Sequence, residues 1–238
     1  HGTKSNAPET SMVASAEALG ALVTSVGRQG VITLDNILAA HRTLMADDPA
    51  EVHYAGRLRD MQNWIGGSDH SPRNALFVPP PPEMVKDYLV DLLEFSNRDD
   101  VPVLVQAAVA QAQFESIHPF TDGNGRIGRA LINTILRRLG ASSLVVGPVT
   151  SALEAIRDVY FGASHAGRLG ALGPFIRAFA RASFTSAQES EISATNLEQM
   201  PGQWREIYRE KTGRTPRAGS AAAKILDLLP SLPFFTTE

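Results

Sequence analysis

The sequence predicts an all-α fold, a helical bundle carrying one small β-hairpin. Apolar residues recur at helical spacing in several segments long enough to be helices. One of these, Val101 to Ile117, is apolar nearly all round, as a central buried helix would be. A single stretch, at about 62–79, instead places two short extended pieces around a polar turn.

Taken in order, residues 1–10 are polar, contain Pro8 and are expected to be loose. A helix is predicted from about Ser11 to Val26, with Leu19, Leu22, Val23 and Val26 on its apolar side and Gly27 as its stop. Thr33 reads as the cap of a second helix bearing Leu34, Ile37, Leu38, Leu44 and Met45, closed by Asp47, Asp48 and Pro49. Together these form an N-terminal helical segment, residues 1–55. The core domain, residues 56–195, opens with the hairpin. Gln62–Ile65 and Ala75–Val78 flank the turn-rich Ser68–Asn74, and prolines fill 79–82. Pro82 suits the first turn of a helix whose apolar side is Val85, Leu89, Leu92, Leu93 and Phe95. The buried helix ending at Ile117 delivers His118. After a loop, Ile127, Leu131, Ile135 and Leu136 mark a helix from near Asn124 to Gly140. Thr150 caps a helix with Leu153, Ile156, Val159 and Tyr160, and another runs from about Gly173 toward Asn196.

From Pro201 the composition shifts. Residues 201–238 begin as a locally basic linker with Arg205, Arg209, Lys211, Arg214, Arg217 and Lys224, and Ser220 to Leu229 is a short amphipathic helix. Two readings stand: a solvated linker with a docking helix, or the first helix of a truncated winged-helix module. A DNA reader needs its recognition helix, and this stretch contains none.

Composition bounds the function. The chain has 238 residues and a formal net charge of −3, which gives no global reason to expect nucleic acid or an anionic membrane. It has no cysteine, so disulfides and thiolate zinc sites are excluded. No apolar run has the length of a transmembrane helix and no signal peptide is visible, so the expected location is cytoplasmic. A chain opening at His1 is expected to be a fragment or a processed form.

The chemistry concentrates in His118-Pro119-Phe120-Thr121-Asp122-Gly123-Asn124-Gly125-Arg126-Ile127-Gly128-Arg129. A helix starting near Asn124 points unpaired N–H groups and its positive dipole end into the loop. Gly123 and Gly125 let an anion approach the backbone. Arg126 and Arg129 project from one side of the first turn. This set suits a phosphate chain. Asp122 can hold Mg2+, which takes one or two carboxylates together with substrate phosphates. His118, just before the turn, can accept a proton near neutral pH.

These residues resemble the signature of the Fic (filamentation induced by cAMP) or Fic/Doc family, H-x-F-x-[D/E]-G-N-G-R-x-x-R, with every specified position filled. A chance match is on the order of one in ten million, whereas a lone Gly-Asn-Gly would mean only a turn. The resemblance spans roughly residues 13–195. It implies the Fic fold, in which a hairpin flap at about 62–79 covers the active-site loop and holds a target segment by strand addition. It also implies a protein adenylyltransferase: AMP passes from ATP to a Ser, Thr or Tyr hydroxyl of a target protein, or of the enzyme itself. By position, His118 would be the general base and Asp122 would hold Mg2+. Gly123, Asn124 and Gly125 would form the anion hole, and Arg126 and Arg129 would neutralise phosphates. Ala75, Leu76 and Phe77 would border the nucleotide from the flap, and Tyr160 is similar to a family tyrosine near the adenine. Phe120 would pack inward and fix the loop.

Each assignment has a plainer rival on the residues alone. Asp122 is a common turn residue, Arg126 and Arg129 suit a solvated helix face, and helical spacing favours a core position for Tyr160. The hairpin, standing alone, is equally a surface cap. His41, His53, His70 and His165 show no ligand spacing and read as structural or solvated. Glu115, one turn before His118, can orient it or be solvated. Two further function classes also stay open. One is a Fic-type transferase of another phosphate-linked group, or a deAMPylase. The other is a non-catalytic regulator that senses nucleotide and binds DNA or a partner.

Overall fold

The computed structural model describes residues 16, 20–27, 30–68, 71–142 and 172–229. It divides into two compact units, residues 1–183 and 184–238, taken separately below.

In the first unit, residues 20–26 are helical and end at Gly27, whose φ of 63° stops the helix as expected. Helix α1, Leu34–Met45, begins at Thr33 with a reciprocal cap. The Thr33 hydroxyl accepts from the Asn36 amide at 3.2 Å, and the Asn36 side chain accepts from the Thr33 N–H at 3.0 Å. Helix α2, Pro82–Ser96, starts on proline as predicted. Helix α3, Val103–Ile117, starts two residues later than the apolar run suggests, because Pro102 takes the cap position. Helix α4 is Asn124–Arg138, and helix α5 opens at Leu172.

The core lies among these helices. Ile37 and Leu44 of α1, Val85 and Leu89 of α2, Phe114 of α3, Leu131 and Ile135 of α4 and Phe179 of α5 are all buried in one cluster. α3 packs most extensively on α4 and next on α2. Small residues allow this: Ala107, Ala108 and Ala110 are fully buried, and a Cβ at Gly128 would lie 2.7 Å from Gln111 Oε1. The approach of residues 30–33 is fixed by polar side chains. Asn97 donates to the Ile32 and Leu93 carbonyls, each at 2.8 Å, and accepts the Ile32 N–H at 2.8 Å. Arg138 donates to the carbonyls of Gly30 and Asn97 and pairs with Asp99.

The expected hairpin does not form strands. Among the described residues there is no strand, only two isolated antiparallel bridges, Ile65 with Phe77 and Ser68 with Ser71. The reason is local. Gly66, Gly67 and Asn74 hold positive φ, and the proline run at 79–82 lacks the N–H groups that a ladder needs. The chain still reverses here, with Ile65 N–H on the Phe77 carbonyl at 2.9 Å. The helix with Thr150 and Tyr160, and most of residues 1–19, lie outside the described residues.

In the second unit the helix expected to end near Asn196 instead continues, α5 running Leu172–Thr212 with Pro201 inside it. A proline removes one N–H donor, and the Glu, Gln, Arg and Lys residues around it favour helix. Helix α6, Ala221–Leu228, is capped by the Ser220 hydroxyl, which accepts from the Ala223 N–H at 3.2 Å. Arg205 pairs with Asp227, and Arg209 with Glu206.

Asn97→Ala removes three partly buried hydrogen bonds and should lower the unfolding free energy by about 2 kcal/mol, read from the urea midpoint at constant slope. An unchanged midpoint would show that the bonds merely exchange with water.

Candidate active site

The loop between α3 and α4 is built around Phe120, which is fully buried. Its ring stacks on His41 of α1 at 3.8 Å between centroids and 5° between planes, and meets Phe114 of α3 at 6.3 Å. Its backbone is held by one amide: the Phe120 N–H donates to Asn124 Oδ1, and Asn124 Nδ2 donates to the Phe120 carbonyl, both at 2.9 Å. The Asn124 side chain is therefore used in closing the loop, and its backbone N–H is what remains to face a ligand. Thr121 donates to Glu51 at 2.6 Å, tying the loop to the turn before the 3-10 segment Val52–Tyr54.

His41 does more than fill space. Its Nδ1 accepts the Gly56 N–H at 3.0 Å, so the proton sits on Nε2, which donates to the Asp122 carbonyl at 3.2 Å. Accepting at Nδ1 while donating from Nε2 needs a neutral ring. Burial pushes the imidazole down from an ordinary 6.5 to about 4; the Asp122 carbonyl and charge oppose this, and the Arg126 charge reinforces it.

His118 ends α3 in the left-handed region, φ 48°, a strained conformation for a residue with a side chain. Its Nδ1 is buried without a hydrogen-bond partner. Burial lowers this ring also to about 4; the Glu115 carbonyl raises it, the Arg59 charge lowers it and the Asp122 charge raises it. The imidazole is thus neutral at physiological pH, with a lone pair available for a proton. A polyanion bound in the loop would move its basicity back toward neutral. The Glu115 carboxylate accepts from Gln111 at 3.1 Å, so it is the residue's backbone carbonyl that acts on the imidazole.

Beyond the loop, α4 begins at Gly123, φ 77°, and no side chain caps it. A Cβ there would lie 2.4 Å from Met45 Cε and 3.0 Å from Leu44 Cδ2, so glycine is required by both conformation and space. The first N–H groups of α4 have no acceptor within the helix and form an anion-binding end. Arg129 places Nη1 3.4 Å from where a Cβ at Gly125 would stand. Its guanidinium has no ion-pair partner among the described residues. Arg126 donates to Asp122 Oδ2 at 2.8 Å, so these two predicted phosphate-site groups neutralise each other. Asp122 is more than half exposed. Among the described residues no three His, Asp or Glu side chains gather as a metal site. A single exposed carboxylate fits Mg2+ that arrives with phosphates, since their oxygens and water complete its shell.

Of the residues at 75–77, Leu76 is 68% exposed, Ala75 and Phe77 are half-buried, and the Leu76 N–H donates to the Ile65 carbonyl at 2.8 Å. The bridged segment reaches the loop through Asn63, whose Nδ2 donates to the Phe120 carbonyl at 3.1 Å. Tyr160 lies outside the described residues. Sequence reasoning missed Arg59, Asn63 and the loop-holding part of His41. Arg59 is 3% exposed and, among the described residues, makes side-chain bonds only to carbonyls, including that of His118 at 2.8 Å. No spacing rule could reveal contacts with backbone so distant in the chain.

Comparisons with known proteins point to one family. Residues 31–136 match the family model described as Fic/DOC family. The chain is similar to protein adenylyltransferase fic-1 of Caenorhabditis elegans, 35% identical over 161 residues, which is 66% of this chain and 28% of that relative. The fold resembles the crystal structure of a Fic family protein from Desulfovibrio desulfuricans G20, TM-score 0.65 and 25% identity, covering 81% of this chain and 56% of that one. A structure of Fic-1 from C. elegans matches with TM-score 0.56 and 29% identity, over 79% of this chain and 53% of the other. The chain thus spans about a quarter to a third of the length of these curated relatives.

Because His41 and His118 are held below their unfolded value, the unfolded chain binds more protons between pH about 6.5 and about 4. The contribution of these two rings to stability in metal-free buffer should therefore be level above about 7, fall as the pH drops through that window and level again below it. Each ring contributes on the order of 3 kcal/mol. His41→Gln, which can accept from Gly56 and donate to Asp122, should remove about half of the slope in chemical denaturation measured against pH.

Proposed function

This chain carries a Fic/DOC family domain, and we propose that it is a protein adenylyltransferase, moving AMP from ATP onto a Ser, Thr or Tyr hydroxyl of a protein. One observation carries the reading: a neutral, buried imidazole at the end of α3 immediately precedes a helix N-terminus that no side chain caps. The first supplies a proton acceptor and the second a place for phosphate oxygens.

In this reading His118 takes the proton from the incoming hydroxyl. The hydroxyl oxygen then bonds to the α-phosphorus as the bond to the β-bridging oxygen breaks, and pyrophosphate leaves with that electron pair. The N–H groups around Gly123, Asn124 and Gly125 take the phosphate oxygens, where fixed donors stabilise developing charge without reorganising. Arg129 would meet the terminal phosphates, and Arg126 would join it on leaving Asp122. Asp122 would hold Mg2+ together with those phosphates, and the ion would neutralise their charge. The target segment would lie along the bridged stretch at 61–78, where Met61, Leu76 and Val78 are exposed. Backbone pairing there would orient a hydroxyl toward the loop while leaving the target's side-chain sequence weakly specified. The surroundings of the adenine, and any share of Tyr160 in them, belong to residues outside those described. No helix among the described residues is long and apolar enough to cross a membrane.

ATP labelled at the α-phosphate should label a protein in lysate or the chain itself, while γ-labelled ATP should not. His118→Ala should lower that transfer by about 10²–10⁴-fold and leave ATP binding in place, whereas Arg129→Ala should weaken ATP binding first. Transfer from a different nucleotide would point to another phosphate-linked group. ATP binding without any transfer would make the protein a sensor.

A further inference from the structure

We propose that Arg59 is a positioning residue that holds the His118 imidazole in register with the segment that presents the target, an assignment that rests on the adenylyltransferase reading. Arg59 is a buried cation whose partners among the described residues include no carboxylate. Nε donates to the His118 carbonyl at 2.8 Å, and Nη2 to the Ile117 carbonyl at 3.3 Å. Nη1 donates to the Met61 carbonyl at 3.0 Å, and Nη2 also to the Pro80 carbonyl at 2.5 Å. The residue's own N–H donates to the Pro119 carbonyl at 2.9 Å.

Two kinds of carbonyl meet on this one planar group. Those of Ile117 and His118 are unpaired carbonyls at the C-terminus of α3, the negative end of the helix that delivers the imidazole. Those of Met61 and Pro80 bracket the bridged segment 65–77. The guanidinium is thus the shared anchor of the base and of the surface where a target strand would lie. Burying a charge among neutral carbonyls is costly, and the rigid fork recovers that cost by filling several acceptors at fixed directions. A lysine ammonium, a point charge on a flexible stem, cannot reach the same set at once. The geometry makes a specific demand: loosening Arg59 should misplace His118 relative to the hydroxyl while leaving the α4 N-terminus, and so the ATP site, as it is.

The test compares Arg59→Lys with the wild-type chain in kcat, target KM, ATP affinity and amide hydrogen exchange. The expected result for the folded variant is a kcat about 100-fold lower with ATP affinity changed less than about twofold, a displacement on the order of 1 Å being enough. Amides at 118–122 and 62–78 should exchange faster together while those of α2 stay protected. A kcat within about threefold of wild type overturns the proposal. So does a parallel loss of ATP affinity with faster exchange throughout, the mark of a merely structural arginine. If Arg59→Lys does not fold, Arg59→Gln, which keeps a neutral donor but loses the fork that fills several carbonyls, carries the same test with the same outcomes. If wild type transfers nothing, the enzymatic reading fails separately. Exchange then decides alone: joint loosening of both segments keeps the anchor, and independent loosening removes it.

Discussion

The site depends on the burial of one aromatic ring. Phe120 lies between His41 and Phe114 at the centre of the helical core, and the Asn124 amide holds both polar atoms of its backbone. A loop that would otherwise be a mobile surface connection is thereby part of the packed interior. The chain on either side inherits that fixity. His118 is held in a left-handed conformation on one side, and Gly123 is pressed against Met45 on the other. The base and the anion-binding helix end are therefore two ends of a single rigid bend, which is what positioning chemistry requires.

The electrostatics follow from the same packing. Two imidazoles sit in this bend and burial keeps both neutral. Neutrality means something different in each. For His41 it preserves one tautomer, needed to accept from Gly56 and donate to Asp122. For His118 it preserves a free lone pair. Asp122 and Arg126 offset each other, whereas Arg129 in the first turns of α4 has no ion-pair partner among the described residues.

Much of this was legible in the sequence, for reasons that can be named. Thr33, Pro82 and Gly27 announced helix ends through local chemistry that needs no tertiary context. The near-uniform apolarity of α3 announced burial, and the string from His118 to Arg129 announced the site. What failed was whatever depended on competition or distance. Two short extended pieces at 62–65 and 75–78 around a polar turn suggested strands, yet flanking glycines and prolines left only two bridges among the described residues. The helix expected to run toward Asn196 instead continues through Pro201, carried by the helix-favouring residues around it. His41 looked ordinary because its value lies in two backbone contacts, made with residues 56 and 122. Arg59 was invisible for the same reason: backbone carbonyls leave no trace in residue identity.

One detail of the loop bears on the chemical ageing of the protein. Asn124 is followed by Gly125, the dipeptide in which a side-chain amide is most readily lost, through attack by the glycine nitrogen on the asparagine carbonyl carbon. In the folded chain that asparagine is buried, its amide is fastened to Phe120, and the peptide that follows is wound into α4. Attack has no geometry available. An aspartate formed there during a spell of unfolding could no longer donate to the Phe120 carbonyl, so the loop would not close again as before. Folding thus shelters the bond on which refolding of the site depends, and damage taken while unfolded is retained.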